Sequence, residues 1–188
     1  MKKIFITGFA FAALLSSCGE AENKIESHDA KEVEHKEVKS TSVDYTSVKE
    51  GSAVKWMGSH IGGVGAHNGT VNVTEGTLTV TDGKVANGKF SIDMTTIHVT
   101  DLEKDSEDYG KLVGHLSNED FFNVASFANA TFEITSVEAI EEGDYNSKVT
   151  GNLSLLGVER SITFDANIKV SDNDVTVNSQ TFTIDRTQ

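Results

Sequence analysis

From Val43 onward, apolar and polar residues alternate in short runs. Val54, Trp56 and Gly58 share one phase, Val71 and Val73 repeat it, and Leu78 and Val80 follow. Phe90, Ile92 and Met94 place apolar side chains on one face, with Ser91, Asp93 and Thr95 on the other. The same period continues through Phe132, Ile134 and Val137, then Val149, Leu153 and Leu155, then Ile162, Phe164, Ala166 and Ile168. Val175, Val177, Phe182 and Ile184 complete it. A period near two marks strands with one buried face. Glu75-Gly76, Asp82-Gly83 and Asn87-Gly88 read as turns, because glycine takes positive φ without steric cost. Roughly eight strands at this spacing predict an all-β antiparallel barrel or sandwich.

One segment breaks the rhythm. Asp101 to Leu116 carries five acidic residues with Leu102, Tyr109, Leu112, Val113 and Leu116 between and behind them, and predicts a loop and short helix laid on the barrel. Ser117 and Asp120 have the spacing of a capping box, which predicts a further helical turn over Asn118–Phe122 that turns Phe121 and Phe122 toward the barrel.

The N-terminus has a different texture. Lys2 and Lys3 precede an apolar run from Ile4 to Leu15, closed by Leu15-Ser16-Ser17-Cys18. The run is shorter than the ~20 residues of a membrane span, so residues 1–18 read as a secretory signal. Its ending has the form of a lipobox, in which Cys18 is lipidated and becomes the mature N-terminus. Cys18 is also the sole cysteine, which leaves no disulfide to form. Residues 19–42 are rich in Glu, Lys, Ser and His, bury little, and predict a flexible tether. The domain proper is then 43–188.

Charge narrows the partners. The chain carries 16 basic and 29 acidic residues, and removal of Lys2 and Lys3 leaves 14 against 29, a formal charge of −15. Such a charge repels nucleic acid and anionic lipid surfaces, so membrane attachment falls to the acyl chains on Cys18. Gly19, not Asp, follows Cys18, which favours the outer over the inner membrane of a bacterial envelope.

The candidate chemistry is sparse. His60 and His67 bracket a glycine-rich loop over residues 61–66, but Asn68-Gly69-Thr70 leads from it into a strand, where a phosphate loop needs Lys-Ser/Thr opening a helix. A metal site built from His60, His67, His98 and His115 suits zinc or copper, yet the spacings fit no compact ligand motif. It stands as the rival reading, a metal- or haem-handling envelope protein. The acidic run lacks the alternating ligands of a calcium loop. Nucleophile motifs are lacking too, since there is no Gly-x-Ser-x-Gly elbow. The chain therefore reads as non-catalytic, without cofactor or metal. What remains is an aromatic set, Trp56, Phe90, Phe121, Phe122, Phe127, Phe132 and Phe164. A small barrel can be filled by such side chains or hold one ligand, and periodicity does not separate a filled structural lipoprotein from a carrier.

Three stretches resemble the YceI-like polyisoprenoid-binding family. His115-Leu116-Ser117-Asn118-Glu119-Asp120-Phe121-Phe122-Asn123-Val124, with Phe127 and Ala130-Thr131-Phe132 behind it, is similar to the family's central signature. Residues 149–158, Val149 to Val158, resemble a second signature, and Phe182-Thr183-Ile184-Asp185-Arg186 a third. The resemblance covers roughly 43–188 and implies an extended, lipocalin-like antiparallel barrel with a long isoprenoid or similar amphiphile in its lumen. It also implies an envelope location and allows a homodimer. Trp56, Phe90, Ile92, Met94, Leu112 and Leu116 are the first candidate lumen residues. Phe121, Phe122, Phe132, Leu153 and Phe164 complete the set. The acidic charge adds the expectation of a neutral, quinone-like head group in preference to a diphosphate. Two departures stand out. Ala128-Asn129 replaces the family's usual proline before the Ala-Thr-Phe strand, and Gln188 comes where family members continue into a closing strand, so an unpaired barrel edge is expected.

Overall fold

The computed structural model describes residues 3–5, 9–12, 24–33, 41–59 and 65–186. Its centre is an antiparallel meander. Strands β6 (Ala53–Gly58), β7 (His67–Thr81), β8 (Lys84–Val99), β9 (Asn129–Ala139), β10 (Ser147–Leu155), β11 (Val158–Val170) and β12 (Asp174–Ser179) each pair with the next in sequence. Shorter strands complete it. β4 (Ser42–Tyr45) lies against the far half of β7, and β5 (Ser47–Val48) and β13 (Phe182–Thr183) lie near the seam. The fold is an all-β, lipocalin-like antiparallel barrel with one short helix.

The long β7–β8 hairpin shows which turn signals operate. Asp82 and Gly83, with φ of +50° and +78°, form a two-residue turn between Thr81 and Lys84. Glu75-Gly76 and Asn87-Gly88 do not turn; both strands run straight through them, with a register shift between Val73 and Glu75. Here glycine serves close approach instead. A Cβ on Gly76 would come within 2.6 Å of the Phe90 ring, which lies across the bare backbone of its cross-strand partner. Strand propensity on both sides of each dipeptide outweighs its turn propensity.

The expected helix is present as α1 (Glu107–Ser117), packed on β8. The Ser106 side chain caps it by accepting the Tyr109 N–H, and Glu107 and Asp108 occupy the first turn, where the helix dipole favours negative charge. The further turn expected over Asn118–Phe122 is not helical. Asn118 is extended, its side chain accepts the Asp120 N–H, and the segment descends in a series of turns. An Asn that satisfies its neighbours locally competes with helix.

The interior divides into two halves. One is solid: Phe132, Phe164 and Phe182 stack at 5.5 and 5.0 Å, with Leu78, Val80, Val149 and Val175 packed around them. The other, beneath α1, is built on Val71, Met94, Ile97, Val99, Leu116, Phe121 and Ala130.

The barrel edge expected to stand open is spanned by the N-terminal residues. β1 (Lys3–Phe5) pairs in parallel with β12 and β5, and β2 (Phe9–Ala12) pairs in parallel with β13 and β6. Part of the expected tether is also docked. β3 (His28–Asp29) pairs with Arg160 and Ser161 of β11. The Ile25 N–H bonds the Thr183 carbonyl at 3.2 Å. Asn152, only 4% exposed, accepts the Lys31 N–H at 3.1 Å and donates to the Lys31 carbonyl at 2.8 Å. Composition offered this segment no apolar face, but a backbone can pair with a free strand edge without one, and the single Ile25 packs against the core.

Candidate functional site

The hollow half of the barrel is made by strand alternation. On β6, Val54 and Trp56 turn inward and Lys55 and Met57 outward, so Met57 is left 44% exposed. Val71 faces them from β7, and Ile92, Met94 and Ile97 from β8. The three-residue step from Met94 to Ile97 breaks the alternation. A bulge absorbs it: the Thr96 hydroxyl donates to the Asp93 carbonyl at 2.7 Å and accepts the Asn72 N–H at 2.8 Å. Ala130, Leu153 and Leu155 supply the remaining wall and Phe122 the lid. Together they line an apolar hollow of ≈ 510 Å³ that is partly open to solvent.

A second compartment of ≈ 540 Å³ lies outside it, under α1 and beside the start of β7. Its walls are Leu112, Leu116, Phe121 and Phe122 on one side and Gly58, Ser59, Gly65, His67 and His115 on the other. Trp56 and Phe122 line both compartments and form the neck between them. The position of Trp56 depends on its cross-strand partner Gly69: a Cβ there would sit 2.7 Å from the indole and would run into the His98 carbonyl.

The mouth is held by polar contacts. Arg186 lies 3.9 Å above the Phe121 ring and donates to the carbonyls of Phe121 and Asp120 at 3.2 and 3.4 Å. The third signature thereby clasps the first. Phe121 in turn meets Phe122 edge-on at 4.7 Å and His115 at 5.6 Å. On the opposite rim, His67 Nδ1 is 2.8 Å from Asp101 Oδ2, and the Asn68 N–H donates to Asp101 Oδ1 at 2.9 Å. Burial pushes the Asp101 carboxyl up, but these bonds outweigh it and hold it below its ordinary range.

A third hollow of ≈ 350 Å³ opens beside the docked segment. It shares Leu153 and Leu155 with the inner compartment and adds Ser27, Ile162, Ile184 and Arg186.

Of the candidate lumen residues, Trp56, Ile92, Met94, Phe122 and Leu153 line the inner compartment, and Leu112, Leu116 and Phe121 line the outer one. Phe90, Phe132 and Phe164 do not; they are buried in the solid half, 5%, 3% and 1% exposed. Alternation gives the face a residue points to, not the level of the barrel at which the interior stops being filled. Val54, Val71, Ile97, Ala130 and Leu155 belong to the wall and were not singled out from the sequence. Val54 and Val71 share the phase of neighbours that were, whereas Ile97 is hidden by the bulge. Cys18 and His60 lie outside the described residues. The histidines of the rival reading have separate partners, His98 bonding the Tyr109 hydroxyl at 2.9 Å while His67 bonds Asp101. Among the described residues no three His, Cys, Asp or Glu side chains converge for a metal ion.

Comparison with known proteins places this geometry. Protein YceI of Salmonella arizonae is 46% identical over 54 residues, as is that of Salmonella newport, and the match spans 29% of this chain and 27% of the length of those relatives. A crystal structure of the Campylobacter jejuni YCEI protein is 22% identical over 53% of this chain and 55% of that one, with a TM-score of 0.39. The family model described as YceI-like domain matches residues 45–188. On that match, the chain belongs to the YceI-like domain family, a membership consistent with a binding protein.

Proposed function

We propose that this chain is a membrane-anchored, non-catalytic carrier or sequestering protein for a long-chain isoprenoid or similar amphiphile in the bacterial envelope. The observation that supports it is the pair of compartments joined at the Trp56–Phe122 neck, one wholly apolar in its lining and one rimmed by Ser59, His67 and His115. A hydrocarbon tail suits the first and a polar head the second. Binding would replace water around the tail at roughly 25 cal/mol per Å² of apolar surface buried.

Anchoring is through lipidated Cys18, with the outer membrane favoured by Gly19, and the protein works as a monomer or homodimer. Processing at Cys18 would remove β1 and β2, the strands paired with β12 and β6. The test is solvent extraction of protein purified from its own membranes, followed by mass analysis of the extract. A single class of prenyl lipid near one per chain supports the reading; extracts no different from those of an unrelated lipoprotein defeat it.

A further inference from the structure

The outer compartment has what the inner one lacks, hydrogen-bonding groups, and two of them are fixed in role. Trp56 lines both compartments, and its buried indole Nε1–H has no hydrogen-bond partner among the described residues. A buried donor left unmatched carries the full desolvation penalty of its group. His67 is fixed differently. Its Nδ1 lies 2.8 Å from the Asp101 carboxylate, which can only accept, so Nδ1 carries a proton, and the neutral form of the ring presents Nε2 as an acceptor. His67 is on the compartment wall and Asp101 is not. The wall therefore carries an indole donor with no partner among the described residues and an imidazole whose Nδ1 alone is engaged by Asp101.

The geometry points to the outer compartment as a head-group site that selects a neutral hydroxyl, whose oxygen accepts from Trp56 Nε1 and whose proton goes to His67 Nε2. This rests on the carrier reading and narrows it. A quinone carbonyl can use the indole but leaves Nε2 without a donor. A diphosphate fares worse: among the described residues the compartment is lined by no Lys or Arg, and both terminal nitrogens of Arg186 are spent on the carbonyls of Phe121 and Asp120. Asp101 and Asp120 nearby add charge of the same sign as the phosphates.

The test uses the delipidated full chain and four probes that share one prenyl tail: the free alcohol, its methyl ether, the parent hydrocarbon and the diphosphate. Each displaces a fluorescent tail probe. The ether keeps the acceptor and loses the donor; the hydrocarbon loses both. The alcohol should bind about tenfold tighter than the ether, and the ether about tenfold tighter than the hydrocarbon, one ordinary hydrogen bond each. His67→Ala should erase the first difference and leave the second. Trp56→Phe should erase the second, with hydrocarbon affinity retained as the sign that the barrel is intact. Equal binding of alcohol and ether by the unmodified chain overturns the assignment, as does a diphosphate that binds tightest, or differences that persist in both variants. Failure of all four probes, the hydrocarbon included, would strike the carrier reading itself and this inference with it.

Discussion

Two alanines decide whether the space under α1 is a cavity or a loosely drawn core. Ala130 is 3% exposed and lines the ≈ 510 Å³ compartment; Ala166 is fully buried, at 0%, in the solid half. Replacing either with Leu adds three carbons. In a hollow, those carbons find unfilled space and gain about 0.8 kcal/mol each by leaving water, less about 0.5–1 kcal/mol for the ordered side chain, a net stabilisation of about 1–2 kcal/mol. In a filled interior the same addition forces neighbours off their rotamers at a cost of about 1–3 kcal/mol. Ala130→Leu should therefore leave the delipidated protein as stable as before or more so, while Ala166→Leu destabilises it. The gap between them is about 2–5 kcal/mol. Urea unfolding reads this as a shift in midpoint at constant slope. Ala130→Leu should also weaken uptake of a prenyl tail, because the added side chain stands where the tail would lie. Equal destabilisation by both substitutions would refute the reasoning and mean that the barrel is filled throughout.

Other consequences follow from single contacts. Asn152→Ala removes both bonds to the Lys31 backbone and should cost about 1–2 kcal/mol, with new protease cleavage between residues 24 and 33 while the barrel stays resistant. Arg186→Ala strips Phe121 of its stacked cation and two carbonyl bonds; the turn over residues 118–123 should lose amide-exchange protection with little change in β8–β9. Tyr45 donates to the Ser171 carbonyl at 2.7 Å, and burial, aided by Asp172 and Asp174, raises its hydroxyl above the ordinary 10.0. A raised acid group holds its proton more tightly when folded, so its contribution is whole below pH 10 and fades as the pH climbs through the folded value. Tyr45→Phe should accordingly flatten the alkaline fall in stability and leave the acid side unchanged.

Much of this architecture is legible in the chain because barrel strands are written at period two, and the inward faces of β6, β10, β11 and the Phe90–Met94 part of β8 follow from alternation alone. A short helix within Asp101–Leu116 is equally plain from the apolar residues behind the acidic run, whereas its start at the Ser106 cap emerges only in the structure. Three things are not legible, each for a physical reason. Gly76 and Gly88 look like turns because glycine permits positive φ, yet they serve where an aromatic ring or a neighbouring strand comes too close for a Cβ. Phe90, Phe132 and Phe164 look like lumen because they point inward, but whether an inward residue meets space or another side chain depends on its level along the barrel axis, which sequence spacing does not encode. The docking of residues 24–33 rests on backbone pairing, on Ile25 packed against the core and on one amide, Asn152, whose partner lies 121 residues away. The site shows the same division. Its apolar wall could be read from phase, whereas the His67–Asp101 pair and the unmatched Trp56 N–H arise only when distant segments meet.

The central claim is that a hydrocarbon tail lies inside the barrel, under α1 and beyond the Trp56–Phe122 neck. A prenyl chain carrying a diazirine at its tail end, bound to the delipidated protein and photolysed, reports this directly through the residues it labels. The account predicts adducts on Met94, Ile97 and Leu153, lost in Ala130→Leu. Adducts confined to exposed residues such as Met57 and Val158, or unchanged by that substitution, would contradict it.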